Sequence, residues 1–236
     1  PMIDSTNQYL LDRVGQLPQG AVCLAEYQES GRGRRGRQWL SPFGSNLYLS
    51  MYWRLDAGMA AAMGLSLVVG VAIAEALQSL GADDIKVKWP NDLYYRDKKL
   101  AGILIEMTGQ TGEAAHLVIG MGLNVAMTEQ EGSEIGQAWT NLAQACSGLP
   151  ERNQLAATLI QRLYETLEHY ESVGLDGFIE RWNRLDNFLD RPVKLLIGER
   201  VAEGIARGIN NQGALLLETE QGLTPYVGGE ISLRGC

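Results

Sequence analysis

Two apolar runs, KLAGILIEM at residues 99–107 and AAHLVIGMGLNV at 114–125, constrain the fold of this chain more than any other feature. The TGQTGE between them has the length and the two glycines of a turn that sends a strand back on itself, so the pair reads as a β-hairpin. A third segment, NLYLSMYW at 46–53, alternates Leu47, Leu49, Met51 and Trp53 with Asn46, Tyr48, Ser50 and Tyr52, which is the period of a strand. AVCLAEYQ at 21–28 and IKVKW at 85–89 add shorter strands. Helical spacing occupies the stretches between: a helix capped by Ser5 or Thr6 and running through QYLLDRV, a buried helix in GMAAAMGLSLVVGVAIA at 58–74, and two more in NQLAATLIQRLYETLEHYE and LDGFIERWNRL. After Asp190-Arg191-Pro192 the pattern changes to short strands broken by IGER, NNQG and EQG, as in a small antiparallel barrel. The expectation is an α+β main domain over residues 1–188 and a compact β domain over 189–236.

With 236 residues, 45% of them hydrophobic, the chain buries a core of ordinary size. A formal net charge of -8 argues against broad adhesion to nucleic acid or to an anionic membrane. The run at 58–74 is shorter than the roughly 20 residues of a membrane span, and no basic-then-apolar leader opens the sequence. Cys23, Cys146 and Cys236 are odd in number and scattered, so a reducing, cytoplasmic setting is expected, with neither a disulfide framework nor a zinc site. His116 and His169 fit no catalytic or metal pattern.

Against this acidic background GRGRRGRQW, residues 31–39, places four arginines among three glycines. Guanidinium planes match carboxylate and phosphate oxygens two at a time, and glycine lets a backbone close around a ligand. A solvated basic loop is the alternative at this point.

In chain order, DSTN at 4–7, GRGRRGRQW, KWPND at 88–92, KLAGIL at 99–104 and VIGMGLNV at 118–125 form a set that resembles the biotin protein ligases, specifically the bacterial BirA type. The resemblance runs from Pro1 to Arg234. It implies a catalytic domain like those of class II aminoacyl-tRNA synthetases, with a mixed sheet, followed by an SH3-like β-barrel. The implied activity joins biotin to ATP, giving biotinyl-5′-AMP and pyrophosphate, then transfers biotin to one lysine of a carboxylase's biotin carboxyl carrier domain. ATP, biotin and Mg²⁺ are the implied small molecules, and the metal's ligands are left open.

By the same resemblance Ser5, Thr6, Asn7 and Gln28 line the biotin pocket, Gly31 and Arg32 meet its carboxyl end, and Gly102 closes against it. Arg34, Arg35 and Trp39 enclose the adenylate. Lys99 faces the junction of carboxyl and phosphate, Asn91 and Asn124 address phosphate oxygens or the metal's water shell, and Arg234 reaches back to the nucleotide. Asp92 is the carboxylate best placed by motif for metal or amine chemistry and is the candidate base. Ile135 and Trp139, in a second loop at 128–139, are the candidate apolar cover. Simpler readings stand beside these: a helix cap for Ser5 and Thr6, core packing for Trp39, a surface position for Lys99 and a proline turn for KWPND.

The chemistry explains the arginines. Two unit charges about 4 Å apart repel by roughly 4 kcal/mol at an effective dielectric near 20, which is about three powers of ten in rate. Cationic side chains and Mg²⁺ offset that repulsion, and no nucleophilic protein residue is needed. Transfer then needs a neutral amine, whereas a free lysine with pKa about 10.4 is mostly protonated near pH 7. Only three residues precede Asp4, so DNA binding through an amino-terminal helix-turn-helix, common in bacterial relatives, is not expected of this sequence. Whether the chain forms a homodimer, and whether only with ligand, is left open. The competing functions are a lipoate-type acyl ligase, against which the lack of an Arg-Arg-x-Ser-Gly-Gly-Gly stretch argues, and a non-catalytic biotin sensor.

Overall fold

In a computed structural model of the chain, residues 2–110, 112–228 and 231–235 are described. The first half contains β1 (Met2–Ile3), α1 (Thr6–Leu11), β2 (Val22–Ala25), β3 (Tyr27–Gln28), β4 (Asn46–Leu55) and α2 (Leu65–Ser79). Then come β5 (Lys86–Lys88), β6 (Asp92–Tyr95), β7 (Lys98–Thr108), β8 (Ala115–Asn124), α3 (Arg152–Val173) and α4 (Ile179–Leu185). The last part is all strand: β9 (Pro192–Ile197), β10 (Arg200–Ile209), β11 (Leu215–Thr219), β12 (Gly222–Tyr226) and β13 (Ile231–Gly235).

Six strands form one sheet in the order β2-β4-β8-β7-β6-β5. The hairpin read from the sequence is its centre, with Ala101 opposite Leu123 and Thr108 opposite His116. All five pairings in this sheet are antiparallel, which corrects the expected mixed sheet. Strands β5 to β8 follow one another through short turns, and each turn reverses the chain. Parallel pairing is confined to the margins, in β1 with β3 and in the bridges Val87–Asp186 and Lys99–Trp139. The carboxy-terminal strands make a five-stranded antiparallel sheet, β12-β11-β10-β9-β13. Among the described residues no ladder joins β12 to β13.

The alternation in NLYLSMYW does not separate core from solvent, because all eight residues are buried. Leu47, Leu49, Met51 and Trp53 join the large core with α2 and α3, while Tyr52 packs with Leu10 and Val118 under α1. Each aliphatic side chain so buried contributes about 1.5–3 kcal/mol. The apolar stretch at 58–74 also differs from expectation: a 3₁₀ turn at Met59–Ala62 precedes α2, and Gly64 between them has φ +77°. A side chain there would also press on Leu175, so the long helix is interrupted where only glycine fits. No helix among the described residues is long and apolar enough to cross a membrane. AVCLAEYQ splits into β2 and β3, and DLYY, the tail of the expected proline turn, forms β6.

Asp186 lies where α4 leads towards the carboxy-terminal sheet and is almost fully buried. Its Oδ1 accepts from Phe188 N at 3.0 Å, while Oδ2 has no partner among the described residues. Burial pushes this carboxyl up to about 7, against smaller opposing effects of the Phe188 hydrogen bond and Arg191.

Candidate functional site

The hairpin register places Gly102 opposite Gly122 and Leu104 opposite Gly120. These glycines leave the centre of the sheet bare of side chains, and other groups lie directly on it. A Cβ at Gly102 would stand 2.8 Å from the Trp39 ring, one at Gly122 would meet the same indole, and one at Gly120 would run into Asn7 Oδ1. Lys99 Nζ is 5.3 Å from the centre of the Trp39 ring, and Trp39 Nε1 is buried with no partner among the described residues.

Beside this floor is a polar pocket built from α1, β3 and β4. Ser5 has extended backbone and accepts weakly from Gln8 N at 3.4 Å, so it caps α1 while also facing the cavity. Gln28 Oε1 accepts from Thr6 N at 2.9 Å and from Thr6 Oγ1 at 3.1 Å. Ser50 Oγ, inside the sheet, lies 2.7 Å from Thr6 Oγ1 and 2.5 Å from Asn7 Oδ1. Asn7 Nδ2 donates to Glu106 Oε2 at 2.8 Å, and the same oxygen pairs with Arg32 at 2.8 Å. Arg32 is thereby tied to the outer part of β7.

The other end is cationic. Asp92 and Lys99 pair at 2.8 Å with both side chains only 15% exposed. Asn91 Oδ1 accepts from Arg34 at 3.1 Å, while Asn91 Nδ2 donates to Ile103 O at 2.6 Å. Burial, and then the nearby Arg35, hold the Arg34 guanidinium below its usual range. Lys88 is 4% exposed yet faces the cavity, and its Nζ donates to Tyr94 OH at 2.8 Å. Burial lowers the Lys88 ammonium to about 8; Asp92 opposes this, and Arg234, Lys99 and Arg37 add to it.

The segment 31–39 folds over these groups. Gly33 N donates to Arg37 O at 2.7 Å and Trp39 N to Gly31 O at 2.8 Å, and Arg35 has φ +61°. Arg35 reaches Ser232 of β13 through a long 3.5 Å contact, and Arg234 of the same strand lines the cavity. On the opposite rim Lys99 N donates to Ala138 O and Thr140 N to Lys99 O, which fastens the end of the second loop. Asn124 Nδ2 donates to Thr140 O at 3.0 Å. A Cβ at Gly132 would strike Trp139, so that indole lies back on its own loop.

One cavity of about 520 Å³ joins these parts. Ser5, Thr6, Asn7, Gln28, Arg32, Arg34, Arg35, Trp39, Asn91, Asp92, Lys99, Gly102, Asn124 and Arg234 all line it, as do Ile135 and Trp139. Gly31 does not: it is buried behind the rim, tight against Trp39 O and Ser41. Sequence reasoning passed over Ser50, Lys88, Glu106, Gly120 and Gly122. The glycines had a legible signal, a small-residue alternation within VIGMGLNV, whereas Ser50 was only one of the polar positions in the alternation of its strand.

The description Biotin/lipoate A/B protein ligase family matches residues 1–124, and Biotin protein ligase C terminal domain matches residues 188–234. The bifunctional ligase/repressor BirA of Salmonella typhimurium is 61% identical over 236 residues, covering 100% of this chain and 73% of that protein. A biotin--[acetyl-CoA-carboxylase] ligase of Paracoccus denitrificans is 32% identical, with 98% of each chain covered. Among solved structures, the biotin protein ligase from Aquifex aeolicus in complex with biotin and ATP superposes with a TM-score of 0.85 at 29% identity, covering 100% of this chain and 97% of that one.

Proposed function

The chain belongs to the biotin/lipoate A/B protein ligase family and is an ATP-dependent biotin protein ligase; from that premise we propose how its cavity divides the work. Biotin's ureido group enters the pocket of Ser5, Thr6, Asn7 and Gln28, where hydroxyl and amide groups answer its carbonyl and two N–H groups. Its chain runs over the floor of Gly102 and its neighbours towards Arg32 and Lys99, while Gly31, buried behind the rim, holds the Trp39 backbone through Trp39 N. The nucleotide occupies the side of Arg34, Arg35, Trp39, Asn91, Asn124 and Arg234, with Ile135 and Trp139 as the cover. The supporting observation is that polar pocket, bare floor and cation cluster adjoin in one cavity of about 520 Å³.

In the first step the biotin carboxylate attacks the α-phosphorus of ATP and pyrophosphate leaves. Arg34 and Lys99 balance the approaching anions and the charge that develops on the leaving oxygens. Asp92 orients Lys99: their 2.8 Å ion pair commits the carboxylate, which argues against the base role expected from the motif. In the second step the carrier lysine attacks the acyl carbon and AMP departs. Loops 31–39 and 128–139 keep water from the anhydride meanwhile.

Mg²⁺ enters as the counter-ion of its substrate, MgATP. No group of three or more His, Cys, Asp or Glu that could hold a metal occurs among the described residues, so the donors do not fit a resident metal centre.

The partner is the biotin carrier domain of a carboxylase. The pairing of β6 with β7 ends at Gly102, and the exposed Met107 lies further along the same strand, so this margin of the sheet suits addition of a strand from the carrier or from a second copy. Intact-mass analysis after incubation with biotin, MgATP and a carrier domain tests the reading; a biotin-sized gain only with ATP is expected. Pyrophosphate exchange offered biotin or lipoate separates the lipoate alternative, and biotin binding without exchange would indicate a sensor.

A further inference from the structure

The transfer step leaves a proton unassigned. A carrier lysine arrives mostly as an ammonium, and a group at the cavity wall must take its proton before nitrogen attacks. That group must be uncommitted and partly unprotonated near neutral pH. Among the described lining residues Asp92 and Lys99 hold each other at 2.8 Å, Glu134 is exposed on the outer loop, and the arginines do not deprotonate. No histidine or cysteine lines the cavity among these residues. Elimination leaves Lys88.

Resting on the adenylate reading above, we propose that Lys88 is the general base of biotin transfer, held at the cavity wall by its contact with Tyr94 OH. The last residue of β5, Lys88 stands opposite Asp92 in the β5–β6 ladder, with Nζ 2.8 Å from Tyr94 OH and 4.8 Å from that ring's centre. The charged groups around it are Asp92 on β6, Lys99 on β7, Arg37 on the arginine loop and Arg234 on β13. Burial, with Arg234, Lys99 and Arg37, brings the ammonium down to about 8 against the pull of Asp92. About a quarter of such a group is neutral at pH 7.5, compared with roughly 0.1% of an ordinary lysine. Tyr94, pushed up to about 12 mainly by burial, stays a phenol throughout.

The step balances. Neutral Lys88 Nζ takes one proton from the carrier ammonium and becomes an ammonium itself. The freed amine attacks the acyl carbon, the C–N bond forms, the C–O bond to phosphate breaks, and its electron pair leaves on AMP. The second nitrogen proton departs with the AMP phosphate, and Lys88 returns its own to solvent.

The test is single-turnover transfer from enzyme-bound biotinyl-5′-AMP to a carboxylase carrier domain between pH 6 and 9.5, with pyrophosphate exchange as the separate gauge of adenylation. The wild-type rate should rise and level near pH 8. Lys88→Met should fall at least tenfold at pH 7.5, keep rising to pH 9.5 and approach the wild type there. Lys88→Arg, which keeps charge but cannot act as base, should not restore the plateau. Tyr94→Phe removes an acceptor of the charged form and should move the break to lower pH. Hydroxylamine, neutral at pH 7, needs no base, so Lys88→Met should slow the carrier reaction at least tenfold more than the hydroxylamine reaction. Persistence of the break in Lys88→Met, or its full recovery in Lys88→Arg, overturns the proposal. Loss of pyrophosphate exchange in the wild type overturns the adenylate reading instead.

Discussion

The glycine floor and the arginine loop enclose the same cavity by opposite means. The floor is part of two long ladders, and its shape is set by register: Gly102 stands opposite Gly122 and Leu104 opposite Gly120, and a one-residue slip would turn the side chains to the other face. The loop has no ladder. Its hold on the rest includes Arg34 on Asn91, Arg32 on Glu106 and Gln8, the Trp39 ring on the floor beside Lys99 and the long Arg35–Ser232 contact, with Arg35 itself at positive φ. In the proposed reading the floor supplies selectivity, and the loop admits substrate and then encloses the intermediate.

The largest effect should come from the junction between the two regions. Lys99→Ala removes a cation from the carboxyl–phosphate site and leaves Asp92 unpaired, so adenylation should fall about 10²–10³-fold while the fold persists; a normal single-turnover rate would remove Lys99 from the mechanism. Gly120→Ala challenges the floor itself. Its new methyl group collides with Asn7, and the biotin dissociation constant measured by titration calorimetry should rise about 10–100-fold.

A control outside both regions sharpens the contrast. Asp186 has its carboxyl raised to about 7 in the fold against about 3.9 unfolded, so the folded state holds the extra proton and stability falls as pH rises from about 4 to 7. Asp186→Asn should stabilise the protein at pH 8 by about 1–3 kcal/mol and flatten this dependence, as read by urea unfolding at pH 5 and 8. Ser50→Ala loosens Thr6 and Asn7 from below and should weaken biotin binding about three- to tenfold. Arg35→Ala removes only an exposed, long contact, and the KM for ATP should change about two- to threefold. An Arg35 effect larger than that of Gly120 would reverse the ranking of floor over loop.

Much of this was legible in the chain. The hairpin of KLAGILIEM and AAHLVIGMGLNV announced itself by length, period and turn chemistry, and the five ordered motifs pointed to residues that do converge on one cavity. DLYY was too short to show a period, so β6 was missed. The alternation of β4 marked a strand, but a sequence cannot tell which second layer covers its polar positions; α1 does, and Ser50 therefore lies inside. Asp92 looked like a free carboxylate until the bulged pairing of β6 and β7 brought it against Lys99.

Local pattern by itself determined most of the strands and helices and the switch to short strands after Pro192, because periodicity and side-chain type are properties of neighbours in sequence. The chemistry that the arginines serve came from the resemblance carried by the five ordered motifs. Only the tertiary structure decided the state of Lys88. Its burial, its contact with Tyr94 and the field of Lys99, Arg37 and Arg234 come from separate segments of the chain, and electrostatic energy depends on distances that exist only once those segments are packed.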